Sequence, residues 1–146
     1  MRVPQRLVDV GFKALNLIHR TVLRASGARV GSSAFGLTFV ELHTTGRTSG
    51  RERTVLLVAP ILENERIVLV ASKGGDDRDP EWLKNLLVHP DVDVTVRRER
   101  RALRARVATR AEEDELWPRV IAVYSSYASY RRRTTREIPL VICEPR

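Results

Sequence analysis

The sequence predicts an α+β domain, mainly β: a small barrel of about six antiparallel strands with flanking helices. Six short runs rich in β-branched residues follow one another at hairpin spacing, at residues 37–42, 54–59, 67–71, 92–96, 102–108 and 138–143. Two helix starts with capping chemistry interrupt these runs instead of alternating with them. The βαβ rhythm of a dinucleotide-binding sheet is missing, as is G-x-G-x-x-G. With 146 residues, 42% of them hydrophobic, the chain can bury one core and is too apolar to be disordered.

Residues 1–36 form the first unit, an amphipathic helix and a linker. Over residues 5–25, Arg6, Asp9, Lys13, Asn16, Arg20 and Arg24 fall on one stripe at helical spacing. Leu7, Phe12, Leu15, Ile18 and Val22 occupy the wider remaining face, and Ser26-Gly27 ends the helix. That helix packs on its own domain or rests on an anionic membrane surface.

Residues 37–146 form the barrel unit. Strands are expected at 37–42, 54–59 and 67–71, with Glu63-Asn64-Glu65 as the polar turn of a hairpin between the last two. Asp79 is expected to cap a helix with Pro80 at its first position, ending before His89-Pro90. Val92, Val94 and Val96 alternate with polar residues, and residues 97–101 are expected to turn into the strand at 102–108. Thr109 and Glu112 spell a capping box for a second helix, running through Trp117 to a kink at Pro118. A strand at 138–143 closes the sheet.

The net charge is +8, from 26 basic and 18 acidic side chains, which invites a polyanionic partner. Arg97-Arg98-Glu99-Arg100-Arg101 and Arg131-Arg132-Arg133 read as solvated turns, so nucleic acid is not the expected partner. The one cysteine, Cys143, excludes an internal disulfide and falls in a strand as a packed apolar residue. His19, His43 and His89 are too scattered for a metal cluster, and no nucleophile elbow occurs, so no metal is expected. No run approaches the ~18 apolar residues of a membrane span, and no secretory signal is recognisable. A cytoplasmic protein follows, with peripheral contact at the inner face of the membrane through residues 5–25 left open.

Three stretches can carry chemistry. Residues 43–53 form an anion cradle: Gly46 and Gly50 free the backbone, Thr44, Thr45, Thr48 and Ser49 bring hydroxyls, and Arg47 and Arg53 bring planar forks. A polar hairpin loop with solvated arginines is the competing account. Ser72-Lys73-Gly74-Gly75, leaving a strand just before a helix, can join backbone N–H groups to an ammonium. Tyr124, Tyr127 and Tyr130, spaced three apart, would lie on one helical face. That face is either a core stripe or a pocket wall that stacks on a planar ligand.

Read together, the motifs resemble the deazaflavin-dependent nitroreductase and quinone reductase family of actinobacteria. They are T-T-G-R-x-S-G-x-x-R at residues 44–53, A-S-K-G-G at 71–75, P-x-W-x-x-N-L-x-x-x-P at 80–90, Trp117-Pro118, the three tyrosines, and I-P-x-V-x-x-E-P at 138–145. The resemblance implies a split β-barrel of the flavin-reductase, FMN-binding type that binds coenzyme F420, whose phosphate and polyglutamate tail answer the positive charge. It implies that Arg47, Thr48, Ser49 and Arg53 hold phosphate and tail, and that Ala71, Ser72, Lys73 and Gly74 continue the cradle. Trp82 and Asn85 would shape the groove, and Leu56, Leu57 and Val58 would lie along the ring.

The same resemblance places the substrate at Tyr124, Tyr127, Tyr130 and Val58. The reaction implied is hydride transfer from reduced F420 to an electron-poor small molecule, a quinone or nitroaromatic, with Tyr127 and Ser72 as catalytic polar contacts. The chain departs from the family pattern at Val58, where an aromatic residue is frequent, so a more aliphatic pocket is expected. An FMN-dependent reductase or oxidase on the same barrel, or a deazaflavin carrier without turnover, are the alternatives. Either a monomer or a homodimer is compatible with the sequence.

Overall fold

The structure is a computed structural model that describes residues 37–63, 65–75 and 77–146. The expected helix at 5–25, its linker and any membrane contact through it lie outside the described residues. In chain order the elements are β1 (Phe39–Thr45), β2 (Glu52–Val58), β3 (Ile61–Glu63) and β4 (Arg66–Val70), then a 3-10 turn (Lys73–Gly75). They continue with α1 (Glu81–Val88), β5 (Asp91–Val96), β6 (Glu99–Val107), α2 (Arg110–Val123), α3 (Ser126–Arg133) and β7 (Leu140–Pro145). The strands form one antiparallel sheet in the order β2-β1-β5-β6-β7-β4-β3. β2, at one end of that order, touches β4 near the other end, so the sheet coils into a barrel.

Among the described residues the strand count is seven, not six. Residues 54–59 do not form a hairpin with 67–71; β2 pairs with β1, in the register Val40↔Leu57 and Leu42↔Val55. Pro60 has no N–H to continue a ladder, and the N–H of Ala59 is spent on the carbonyl of Thr38 at 2.8 Å. After that break, Ile61–Glu63 starts a new strand that pairs with β4, Ile61 opposite Val68. The polar turn does lie ahead of Arg66, but it joins β3 to β4.

Several boundaries also move. β1 runs on through His43, Thr44 and Thr45, which pair with Thr54, Arg53 and Glu52, so half the expected loop is ladder. The turn between β5 and β6 is only Arg97-Arg98, both left-handed at φ 49° and 70°. Glu99, Arg100 and Arg101 therefore belong to β6. This tight turn suits the twist of the flanking strands even without the usual Asn-Gly.

β4 and β7 are buried on both faces, which explains their continuous apolar runs. Ile67, Leu69, Val141 and Cys143 point into the barrel beside Val40, Leu42, Val92, Val94 and α1's Leu83 and Leu86. Val68, Val70, Leu140 and Ile142 point outward against Leu116, Trp117 and Val120 of α2. Burial pushes the Cys143 thiol up to about 12, so it packs as an inert apolar group.

The capping box of α2 is present: Thr109 Oγ1 accepts from the Glu112 N–H at 3.2 Å, and Glu112 Oε1 accepts from the Thr109 N–H at 2.9 Å. The helix continues past Pro118 to Val123. Asp79, in contrast, caps nothing. Pro80 is the N-cap of α1, without a side-chain cap bond. The Asp79 carboxylate pairs instead with Arg136 at 3.1 Å, and that guanidinium also donates to the carbonyls of Ala71 and Ser72 at 3.0 Å each. An ion pair with a largely buried arginine outcompetes a neutral backbone donor. Among the described residues no helix is long and apolar enough to cross a membrane.

Candidate active site

The loop between β1 and β2, residues 46–51, is closed by Gly46 N–H to the Arg51 carbonyl at 2.8 Å and Gly50 N–H to the Gly46 carbonyl at 2.9 Å. Gly50 is left-handed at φ 69°. Gly46 leaves room for Ser49: a Cβ there would lie 2.5 Å from Ser49 Oγ and push that hydroxyl aside. Ser49 Oγ itself accepts from the Arg51 N–H at 3.2 Å.

Helix α1 holds this loop. Asn85, 5% exposed, accepts through Oδ1 from the Arg47 N–H at 3.1 Å and from Arg47 Nη1 at 2.9 Å. Its Nδ2 reaches Thr44 Oγ1 at 3.4 Å. Arg47 Nη2 then donates to Glu81 Oε2 at 2.7 Å. This bond, reinforced by Lys84, holds the Glu81 carboxyl below the usual carboxylate range, so it is charged at neutral pH. The Arg53 guanidinium makes no hydrogen bond or ion pair with a described residue and is available to a ligand.

On the far side, Lys73 enters the 3-10 turn at φ 45° and Gly75 leaves it at φ 83°. A Cβ on Gly75 would meet the Tyr130 backbone and Arg133 Cβ at 3.0 Å, so only glycine lets the turn pack this closely on α3. The three tyrosines do meet, but not on one helix. Tyr124 is the extended C-cap of α2, whereas Tyr127 and Tyr130 lie on α3. An interruption of the helix at Tyr124 and Ser125, not an i, i+3, i+6 stripe, brings the rings edge to face, with centroids 5.1 to 6.3 Å apart.

Tyr127 is 6% exposed, and burial raises its pKa far above the ordinary phenol value, so it is a neutral donor. Burial and its bond to Tyr124 push Tyr130 up to about 12. Hydrogen bonds from Ser126 and Tyr130 lower Tyr124.

These parts enclose one cavity of about 830 Å³. Arg47, Thr48, Ser49 and Arg53 line it from the loop, and Ser72 and Lys73 from the connector. Trp82 and Asn85 line it from α1, Leu56, Leu57 and Val58 from β2, and the three tyrosines close it. Gly74 lies in the 3-10 turn itself. Ala71 is not in the wall: it is fully buried, its N–H bonded to Pro139 and its carbonyl to Arg136.

Sequence reasoning missed Phe39, Thr54, Val55, Val70 and Glu81, all in the wall. Glu81 sits one residue before Trp82 in a motif already singled out, yet its spacing suggests only a favourable helix-dipole charge. The others are ordinary strand residues of β1, β2 and β4, which only the coiling of the sheet brings to one cavity. Among the described residues no cluster of metal ligands occurs.

A family model described as F420H(2)-dependent quinone reductase matches residues 16–145. An F420H(2)-dependent quinone reductase of Mycobacterium tuberculosis is 34% identical over 137 residues, covering 91% of each chain. A solved F420-H2 dependent reductase, FDR-A, superposes with a TM-score of 0.67 at 36% identity, covering 73% of this chain and 93% of that one. A second solved structure, described as a domain-swapped dimer, gives a TM-score of 0.67 at 31% identity, over 86% of this chain and 98% of that one. A protein of the pyridoxinephosphate oxidase family from Clostridium acetobutylicum, 9% identical with a TM-score of 0.53 over 87% of this chain and 84% of that one, shares the fold alone. The fold is thus the split β-barrel.

Proposed function

The chain belongs to the F420H(2)-dependent quinone reductase family, and on that premise we propose which of its residues bind, orient and discharge the reaction. The activity is that of an oxidoreductase using coenzyme F420, with a quinone as acceptor. One observation carries the assignment: a single cavity joins a cationic, hydroxyl-rich end to an aliphatic and aromatic end. That donor set fits an acidic tail attached to a flat ring system. When bound, the reduced deazaflavin supplies a hydride.

Arg53, Lys73, Thr48 and Ser49 hold the phosphate and acidic tail, with the turn at Gly74 continuing the cradle. Arg47 holds the loop in shape through Asn85 and joins the set with the arm that Glu81 occupies, once the ligand displaces that carboxylate. Trp82, Leu56, Leu57 and Val58 flank the ring and keep water from it. Tyr124, Tyr127, Tyr130 and Val58 receive the acceptor. Tyr127, a neutral phenol at any physiological pH, donates a hydrogen bond to the acceptor oxygen as negative charge develops there, and Ser72 is the second polar contact. Ala71 supports Ser72 from behind through the Arg136 bonds to both carbonyls.

Val58 makes the acceptor side aliphatic, which favours a quinone over a nitroaromatic. A homodimer is supported by the domain-swapped dimer among the structural relatives. The assay follows the return of oxidised-deazaflavin absorbance when reduced coenzyme meets a menaquinone-like quinone. Turnover is expected, faster than with a nitroaromatic; binding of coenzyme without turnover on any quinone would reject the reading.

A further inference from the structure

The anion-binding end of the cavity already contains an anion of its own. Glu81, in the first turn of α1, lines the cavity and accepts from Arg47 Nη2 at 2.7 Å through Oε2 and from Lys84 Nζ at 3.3 Å through Oε1. Its side chain is 66% exposed, so the carboxylate is not buried by necessity; it stands in water at the groove, charged. Nothing in the packing of α1 requires it: the buried face of the helix is Trp82, Leu83, Asn85 and Leu86.

We propose that Glu81 is a specificity-determining residue, an internal competitor that withholds the Arg47 arm from small lone anions and yields it to ligands with several charges. The proposal rests on the reading that this groove takes a polyanion. A single phosphate arriving at Arg47 exchanges one charge-assisted bond for another and gains little. A ligand whose charges also reach Arg53 makes that same exchange while adding a contact that Glu81 does not contest. Discrimination comes from this difference, because an exposed pair is weak enough for the larger ligand to displace.

The test measures dissociation constants of inorganic phosphate and of oxidised coenzyme F420 by calorimetry for the unsubstituted chain and for Glu81→Gln. Glutamine keeps the size and an acceptor for Arg47 while removing the charge, and the exposed position makes misfolding no concern. Phosphate is expected to bind roughly fivefold tighter to the variant at low ionic strength, the worth of one exposed ion pair, with the gain fading in high salt. The coenzyme should change less, so the ratio between the two ligands shrinks. A charge-reversing Glu81→Lys should extend the same trend. Phosphate affinity equal in the chains, weaker in the variants, or unmeasurable in all of them overturns the proposal. Phosphate results as expected with no coenzyme binding support the selectivity and overturn the functional reading; coenzyme binding with phosphate affinity indifferent to Glu81 does the reverse.

Discussion

Asn85 Oδ1 accepts two hydrogen bonds from one residue, the main-chain N–H and the Nη1 of Arg47, at 3.1 and 2.9 Å. A single buried amide thus fixes both the backbone and the side chain of the loop that forms the cationic end of the cavity. Asn85→Ala leaves the Arg47 N–H without its acceptor and is expected to lower folding stability by about 1–3 kcal/mol. Coenzyme binding should weaken by roughly tenfold as the loop loosens. Denaturant melts and a binding titration check the two numbers separately.

The glycine at position 46 is a matter of space. Gly46→Ala puts a methyl 2.5 Å from Ser49 Oγ and 3.3 Å from the Arg51 carbonyl. The Ser49 hydroxyl can rotate away but then gives up its bond from the Arg51 N–H, so the substitution should destabilise by about 1 kcal/mol. Pairing it with Ser49→Gly should recover part of that loss in thermal melts, because the closest contact is then gone. Simple additivity of the two losses would show that this contact is not the cause.

His43 makes stability depend on pH. Its ring is 8% exposed, with Nδ1 2.8 Å from Thr54 Oγ1 and Nε2 2.7 Å from Thr95 Oγ1. Burial, then repulsion from Arg100, lowers its pKa below 6.5 against the pull of Glu52, Glu41 and Asp93. The unfolded chain therefore takes up the proton first. The contribution of His43 to stability is full above about pH 6.5 and is lost as pH falls through the lower folded pKa. His43→Asn should flatten this limb of the melting-temperature profile; an unchanged slope would assign it elsewhere.

Tyr127 separates chemistry from packing. Tyr127→Phe keeps the edge-to-face contacts with Tyr124 and Tyr130 and removes only the hydroxyl. Turnover should fall by roughly 10²-fold, the usual scale for a lost proton donor, with little change in melting temperature. Because the phenol stays protonated through alkaline pH, the rate should show no loss assignable to Tyr127 between neutrality and pH ~10. A fully active phenylalanine variant would reduce Tyr127 to a wall residue.

The turn between β5 and β6 holds two arginines in a backbone region that favours glycine and asparagine. Arg97→Asn with Arg98→Gly should stabilise the protein by about 1 kcal/mol, seen as a shifted denaturant midpoint with an unchanged slope.

The legible part of this protein is its local patterning. Val92, Val94 and Val96 announce β5 because alternation marks a half-buried strand, and Thr109 with Glu112 announces α2 because both partners of the box lie within one turn. Ser72, Lys73, Arg53 and the tyrosines, singled out by residue type, line one cavity. β3 was not legible, since three residues after a proline carry too little periodicity to register. Nor was the true partner of Asp79: the local rule favours a cap, while Arg136 lies 57 positions away.

By itself the sequence determined the kind of fold, the inventory of cations, hydroxyls and phenols, and the family to which they belong, because each is written in neighbouring residues. Only the tertiary structure decided which of those groups are engaged and which are available. Arg47 is held by Glu81 and Asn85, Tyr124 caps a different helix from the one that carries its companions, and Ala71 is buried outside the cavity wall. The physical reason is distance along the chain. Arg47 meets Glu81 across 34 residues, and which charges meet is set by how the strands pair and where α1 crosses them.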